Sequence, residues 1–113
     1  LGLALLNEKD KHYTEAYDGI NSLIEQYPDS AMAYAARGGM EKERGMLELA
    51  EFDYAKAMEL DAGNEDFAFN HVDILIQLGR KDEAYRDLKK LLDAGCQPGR
   101  LQNFYARLKK KKK

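Results

Sequence analysis

Three alanines, Ala16, Ala50 and Ala84, lie 34 residues apart, and the residues around them keep one register. A repeat of this length constrains the fold more than any other feature. Each copy must be one supersecondary unit that hides its apolar face against the next copy. "YTEAYDGINSLI" from Tyr13, "LELAEFDYAKAM" from Leu47 and "KDEAYRDLKKLL" from Lys81 superpose without a gap. Ile20, Tyr54 and Leu88 coincide, as do Leu23, Ala57 and Leu91, and Ile24, Met58 and Leu92. The apolar positions fall at i, i+4, i+7 and i+8, one face of an α-helix.

The preceding segments match as well: Leu6 with Met40 and Ile74, Ala4 with Gly38 and Val72, and Lys11 with Gly45 and Gly79. Each unit therefore reads as helix, tight turn, helix and link. The predicted turns are Lys9–Tyr13, Arg44–Met46 and Gly79–Asp82, and the links are Tyr27–Ser30, Asp61–Asn64 and Gly95–Gly99. Ser30 and Asn64 suit N-caps, and Gly63 and Gly95 suit C-caps. Glycines inside the helix-favouring stretch "RGGMEKERG" (Arg37–Gly45) need a reason, since each costs about 1 kcal/mol relative to alanine. Gly38 is assigned to a close crossing of paired helices and Gly45 to a turn that requires positive φ. Gly39 is placed toward the inner surface, where it widens a groove.

This pattern resembles the tetratricopeptide repeat family, built from 34-residue helix–turn–helix units. Ala31–Asn64 carries Tyr34, Gly38, Gly45, Ala50, Tyr54 and Ala57 at matching positions. Glu65–Pro98 keeps Ala68, Gly79, Ala84, Leu88 and Leu91. Residues 1–30, which open in mid-unit, keep Leu3, Ala4, Ala16 and Pro28, so a longer parent chain is expected. The resemblance implies an all-α fold, a right-handed α-solenoid of antiparallel helix pairs in one domain over residues 1–108. Leu101, Phe104, Tyr105 and Leu108 predict a capping helix over 98–108, with Ala106 in the small-residue register of Gly38. Lys109–Lys113 read as a disordered, solvated tail rather than as a contact for anionic membrane or nucleic acid. Arg37 and His71 stand where the family usually has leucine, and Glu41 where it has an aromatic. Arg37, Glu41 and Arg44 are expected to form an ion ladder along one helix, and His71 to be a packed core imidazole.

Charge and chemistry narrow the function. Residues 1–98 hold 20 acids against 11 bases, a net −9, which argues against a nucleic-acid-binding body. One cysteine, Cys96, permits no internal disulfide and fits a reducing, cytoplasmic setting; it reads as a small, partly buried residue. No run is long and apolar enough to predict a membrane span. His12, in a predicted turn, and His71 belong to different units, and no zinc-ligand spacing, phosphate loop or nucleophile–base pair is legible. The expectation is a protein that is not an enzyme and has no cofactor and no metal.

What the resemblance implies instead is a concave groove lined by the first helix of each unit. The candidate lining is Leu5, Glu8 and Lys9; Met32, Ala35, Ala36, Gly39 and Glu43; and Asp66, Phe69, Asn70, Asp73 and Gln77. Family members that grip the chaperone C-terminal carboxylate use Lys, Arg and Asn there. Here only Asn70 suits such a clamp, and Asp66 and Asp73 oppose it. The expected partner is a protein segment, helical or extended, with an apolar stripe and basic residues. The alternative is an architectural segment of a longer repeat protein with no ligand of its own. Oligomeric state stays open.

Overall fold

The computed structural model describes residues 8–110, with side chains from residue 11 onward. Leu5 and the helix predicted to precede Lys9 lie outside these residues. Among the described residues the chain forms six α-helices, one 3-10 turn and no strand. They are α1 (Glu8–Gln26), α2 (Ala31–Glu43), α3 (Leu47–Leu60), α4 (Glu65–Gln77), α5 (Lys81–Asp93), the 3-10 turn Pro98–Leu101 and α6 (Gln102–Lys109). Helices adjacent in sequence pack on one another. The molecule is a slab of 48 × 40 × 19 Å, about two helix diameters thick.

Local chemistry sets the boundaries, and it repeats. Ser30 Oγ accepts the Ala33 N–H at 3.2 Å and Asn64 Oδ1 accepts the Phe67 N–H at 3.2 Å, capping α2 and α4 as predicted. Each such cap is worth about 1 kcal/mol. Gly45 (φ 79°) and Gly79 (φ 78°) make the turns inside the two hairpins, and Gly95 (φ 104°) follows α5. A side chain at these angles would be strained. Gly63 does not have positive φ, contrary to expectation. Asp61 already leaves the helical region at φ −141° and closes α3 through its N–H to Ala57 O, so no left-handed residue is required.

The predicted turn at Lys9–Tyr13 is also corrected, because α1 runs through it unbroken. Lys11 occupies the register of Gly45 and Gly79, so no residue there makes positive φ cheap and the helix continues. His12 consequently sits exposed on α1 and not in a turn. Of the three alanines that define the period, Ala50 and Ala84 are fully buried, whereas Ala16 is exposed. The helix that the repeat would lay over Ala16 lies outside the described residues.

The α2–α3 crossing is as close as the glycine implied. A Cβ added to Gly38 would lie 2.9 Å from Tyr54 Cδ2, which no real contact allows. Gly39 belongs to the same crossing, since its Cβ would lie 3.3 Å from Tyr54 Oη; it makes room for a phenol rather than widening a groove. In the next hairpin Val72 and Leu88 hold these registers, both fully buried in one cluster. One hairpin pairs a very small residue with a large one, and the other pairs two of middle size. The space is filled either way.

Two apolar clusters form the core. One gathers Ala35, Ala50, Tyr54, Ala57, Phe67 and Ile74. The other gathers Val72, Leu75, Ala84, Leu88, Cys96 and the capping residues Leu101 and Leu108. Met58 packs against both and joins them. Cys96 is fully part of this core rather than partly buried. The cap begins as a 3-10 turn at Pro98 and ends on Lys109. Burying Leu101 and Leu108 contributes about 2 kcal/mol each. Ala106 matches the register of Gly38 but is exposed, because no described helix packs beyond α6.

Candidate functional site

The departures at Arg37, Glu41 and His71 mark the most polar places inside the protein. Arg37 does not chiefly serve an ion ladder along α2. Its Nε and Nη2 donate to the two carboxylate oxygens of Asp53 on α3 at 2.8 and 2.9 Å, and its Nη1 donates to Asn21 Oδ1 on α1 at 2.9 Å. The predicted partner Glu41 is 3.9 Å away. Arg44, the third member expected, instead lays its guanidinium 4.2 Å from the centre of the Tyr13 ring. A fork-shaped cation meeting a carboxylate across helices is a stronger geometry than staggered charges along one helix.

Glu41 and Asp53 are each 1% exposed. Glu41 Oε2 accepts the Tyr17 hydroxyl of α1 at 2.7 Å, and Glu41 Oε1 has no hydrogen-bond partner among the described residues. Two buried acids thus share one arginine, already committed to Asp53. Burial pushes the Glu41 carboxyl up to about 7, reinforced by Asp53 and opposed by Tyr17 and Arg37. The same contact, with burial, raises the Tyr17 phenol to about 12.

The second cluster occupies the same registers. His71 stands 34 residues after Arg37 and Asp87 stands 34 after Asp53. His71 Nδ1 bonds Asp87 on α5, and His71 Nε2 lies 2.9 Å from Glu51 Oε2 on α3. Arg80, in the α4–α5 turn, lies 3.6 Å from Glu51 and forks onto Glu83 at 2.8 Å. His71 is buried, as expected, but among carboxylates rather than in an apolar setting. Burial lowers its proton affinity; the bonds to Asp87 and Glu51 outweigh that and hold it above the ordinary histidine value. A cavity of about 510 Å³ opens beside this cluster, between α3, α4 and α5, with Met58, Ala68 and Leu91 on its apolar wall and Lys90 at the rim.

The candidate groove residues divide into three groups. Met32 (68% exposed), Ala36, Glu43, Asp66 and Gln77 are exposed on α2 and α4. Ala35 corrects the expectation, because it is buried in the core against α3 and α4 residues. The third group is already engaged. Lys42 donates to Asp73 at 2.7 Å and to Asn70 at 3.1 Å, and Arg107 of α6 reaches Asp73 at 2.7 Å. Burial raises the Asp73 carboxyl, but the bonds from Lys42 and Arg107 prevail and hold it below the ordinary aspartate range. Phe69, expected to anchor a partner, has the Phe104 ring 6.0 Å away and the Arg100 guanidinium 4.8 Å over its face. Leu5 is outside the described residues, and of Glu8 and Lys9 only the backbone, in α1, is described.

The cross-helix bridges were missed by sequence reasoning although their signal was present: a cation at 37 and 71 and an aspartate at 53 and 87 repeat with the period. Lys42, Arg100 and Arg107 carried no such signal. Among the described residues no helix is long and apolar enough to cross a membrane, and no group of three or more His, Cys, Asp or Glu is placed to hold a metal ion. Comparison with known proteins finds no match, either to a protein-family model or to a curated protein.

Proposed function

We propose that the chain is a tetratricopeptide-like protein-interaction module, a right-handed helical array whose first helices present a binding face, rather than an enzyme. The observation that carries this reading is the recurrence of structure at the sequence period. N-caps Ser30 and Asn64, turn glycines Gly45 and Gly79, and buried Ala50 and Ala84 recur 34 residues apart. Units that repeat in this way expose equivalent helix faces side by side, and such arrays bind along those faces. The face here presents Met32 and Ala36 on α2 beside Glu43, Asp66 and Gln77, which suits a helical or extended peptide with an apolar anchor and basic residues.

Affinity capture from the source cells with wild type and a Met32→Glu, Asp66→Lys double variant tests this. Both positions are exposed, so circular dichroism should be unchanged; stability should fall by about 1 kcal/mol, since Asp66 favours the N-terminus of α4. A protein recovered by wild type and lost by the variant supports the reading; equal recovery of every protein by both sinks it.

A second reading is favoured by the engagement of Asp73, Asn70 and Phe69 within the chain. A face whose polar groups are already paired suits an architectural segment that stacks on further repeats. Capture that recovers no protein dependent on Met32 or Asp66 would favour it.

A further inference from the structure

We propose that His71 is a proton-dependent pin that fastens α3, α4 and α5 together, and that the α5 side of the protein loosens when the pin loses its proton. The geometry carries the argument. Glu51 from α3 and Asp87 from α5 approach the two ring nitrogens from opposite sides of the imidazole. Carboxylates accept and do not donate, and a neutral imidazole has only one N–H. Both bonds exist together only with the doubly protonated ring. Losing that proton removes a donor and leaves two largely buried carboxylates with a neutral group between them, the costly half of a broken buried ion pair.

The surroundings do not replace the lost charge. Facing the cluster are Glu51 on α3, with Glu48 beyond it, Asp87 and Glu83 on α5, with Arg86 near Glu83, and Arg80 in the intervening turn. Arg80 is shared between Glu51 and Glu83, and the four acids outnumber the two arginines. Glu59, Glu65 and Lys90 stand round the adjoining cavity, and Lys90 is exposed. The preceding hairpin serves as the internal control. Arg37 holds the register of His71 and bridges to Asp53 in the register of Asp87, yet a guanidinium keeps its charge at any physiological pH. The repeat thus carries a permanent pin in one hairpin and a titratable pin in the next.

Imidazole carbon–proton NMR of the whole chain makes the test direct. His71 should titrate above the ordinary histidine value, and Asp87→Asn and Glu51→Gln should each bring it down. Amide-exchange protection factors, corrected for intrinsic rates, should fall about tenfold in α5 between pH 6 and pH 9 as the bridge loses its charge. In a Glu41→Gln variant, which removes the Glu41 titration from the first hairpin, those in α2 near Arg37 should fall less. His71→Arg should flatten the α5 response. If His71→Arg does not fold, the Asp87→Asn and Glu51→Gln titrations still decide. His71 titrating at or below the ordinary histidine value would overturn the proposal, as would α5 protection that does not change with pH.

Discussion

The α2–α3 and α4–α5 hairpins solve the same packing problem with different residues, and the contrast shows what a repeat conserves. Both need filled space where the helices cross and a charge bridge from the residue just before each crossing residue. The first uses Gly38 against Tyr54 and Arg37 to Asp53. The second uses Val72 with Leu88 and His71 to Asp87. What persists is a filled crossing and the sign of the charges, not the residue types. The cost of the substitutions appears as pH sensitivity: the arginine bridge is indifferent to pH, and the histidine bridge is not.

The largest expected effect comes from removing the permanent bridge. Arg37→Met leaves Asp53 and Glu41 buried without a cation and should cost about 3–5 kcal/mol in urea unfolding at pH 7. A loss under about 1 kcal/mol would show that the bridge contributes little beyond packing. His71→Met should cost about 2–4 kcal/mol at pH 6. The two losses should move in opposite directions with pH. That of Arg37→Met grows as Glu41 ionises, and that of His71→Met shrinks as the wild-type imidazolium disappears. Parallel trends would break the comparison.

Gly38→Val probes the other half of it. Valine in the space of a glycine facing Tyr54 should cost about 2–3 kcal/mol. Adding Tyr54→Leu, which writes the second hairpin's pair into the first, should return part of that. A double variant no better than the single one would mean that the two crossings are not equivalent.

A smaller effect, of reversed sign, is expected from Glu41→Gln. The folded protein holds the Glu41 proton up to about pH 7, above the ordinary glutamate value. Between those values the folded state binds more protons than the unfolded state, so stability falls as pH rises through that window. The His71 shift, also upward, acts in the same direction: its contribution is complete below the ordinary histidine value and is lost as pH rises through the raised one. Glutamine keeps an acceptor for Tyr17 and offers an N–H₂ toward Asp53. It should stabilise by about 1 kcal/mol at pH 8 and change little at pH 5. Asp73 runs the other way. Its carboxyl is held low by Lys42 and Arg107, so that bridge is intact above the ordinary aspartate range and fails only as pH falls through its lowered value. Smallest of all, Met32→Glu should alter melting by less than about 0.5 kcal/mol, since Met32 touches solvent rather than core.

Much of the fold was legible before any coordinates. The period located α2 to α5 and the cap, and Ser30, Asn64, Gly45 and Gly79 fixed their ends, because helix propensity, capping and positive φ are properties of a few neighbouring residues. The same locality explains where reading along the chain went astray. Lys9–Tyr13 was assigned a turn from register alone, although Lys11 lacks the conformational freedom of Gly45. Ala35 was counted on an open face, and Phe69 was left free for a partner that the chain's own Phe104 and Arg100 partly displace.

Sequence by itself determined that this protein is a repeated helical hairpin, since periodic burial and local backbone chemistry suffice to write one. Only the tertiary structure decided which charges meet. Arg37 with Asp53, His71 with Glu51 and Asp87, and Asp73 with Lys42 and Arg107 are each brought together from different helices. Whether a charged side chain finds a partner or water depends on how helices stack in space, a fact no single stretch of chain contains.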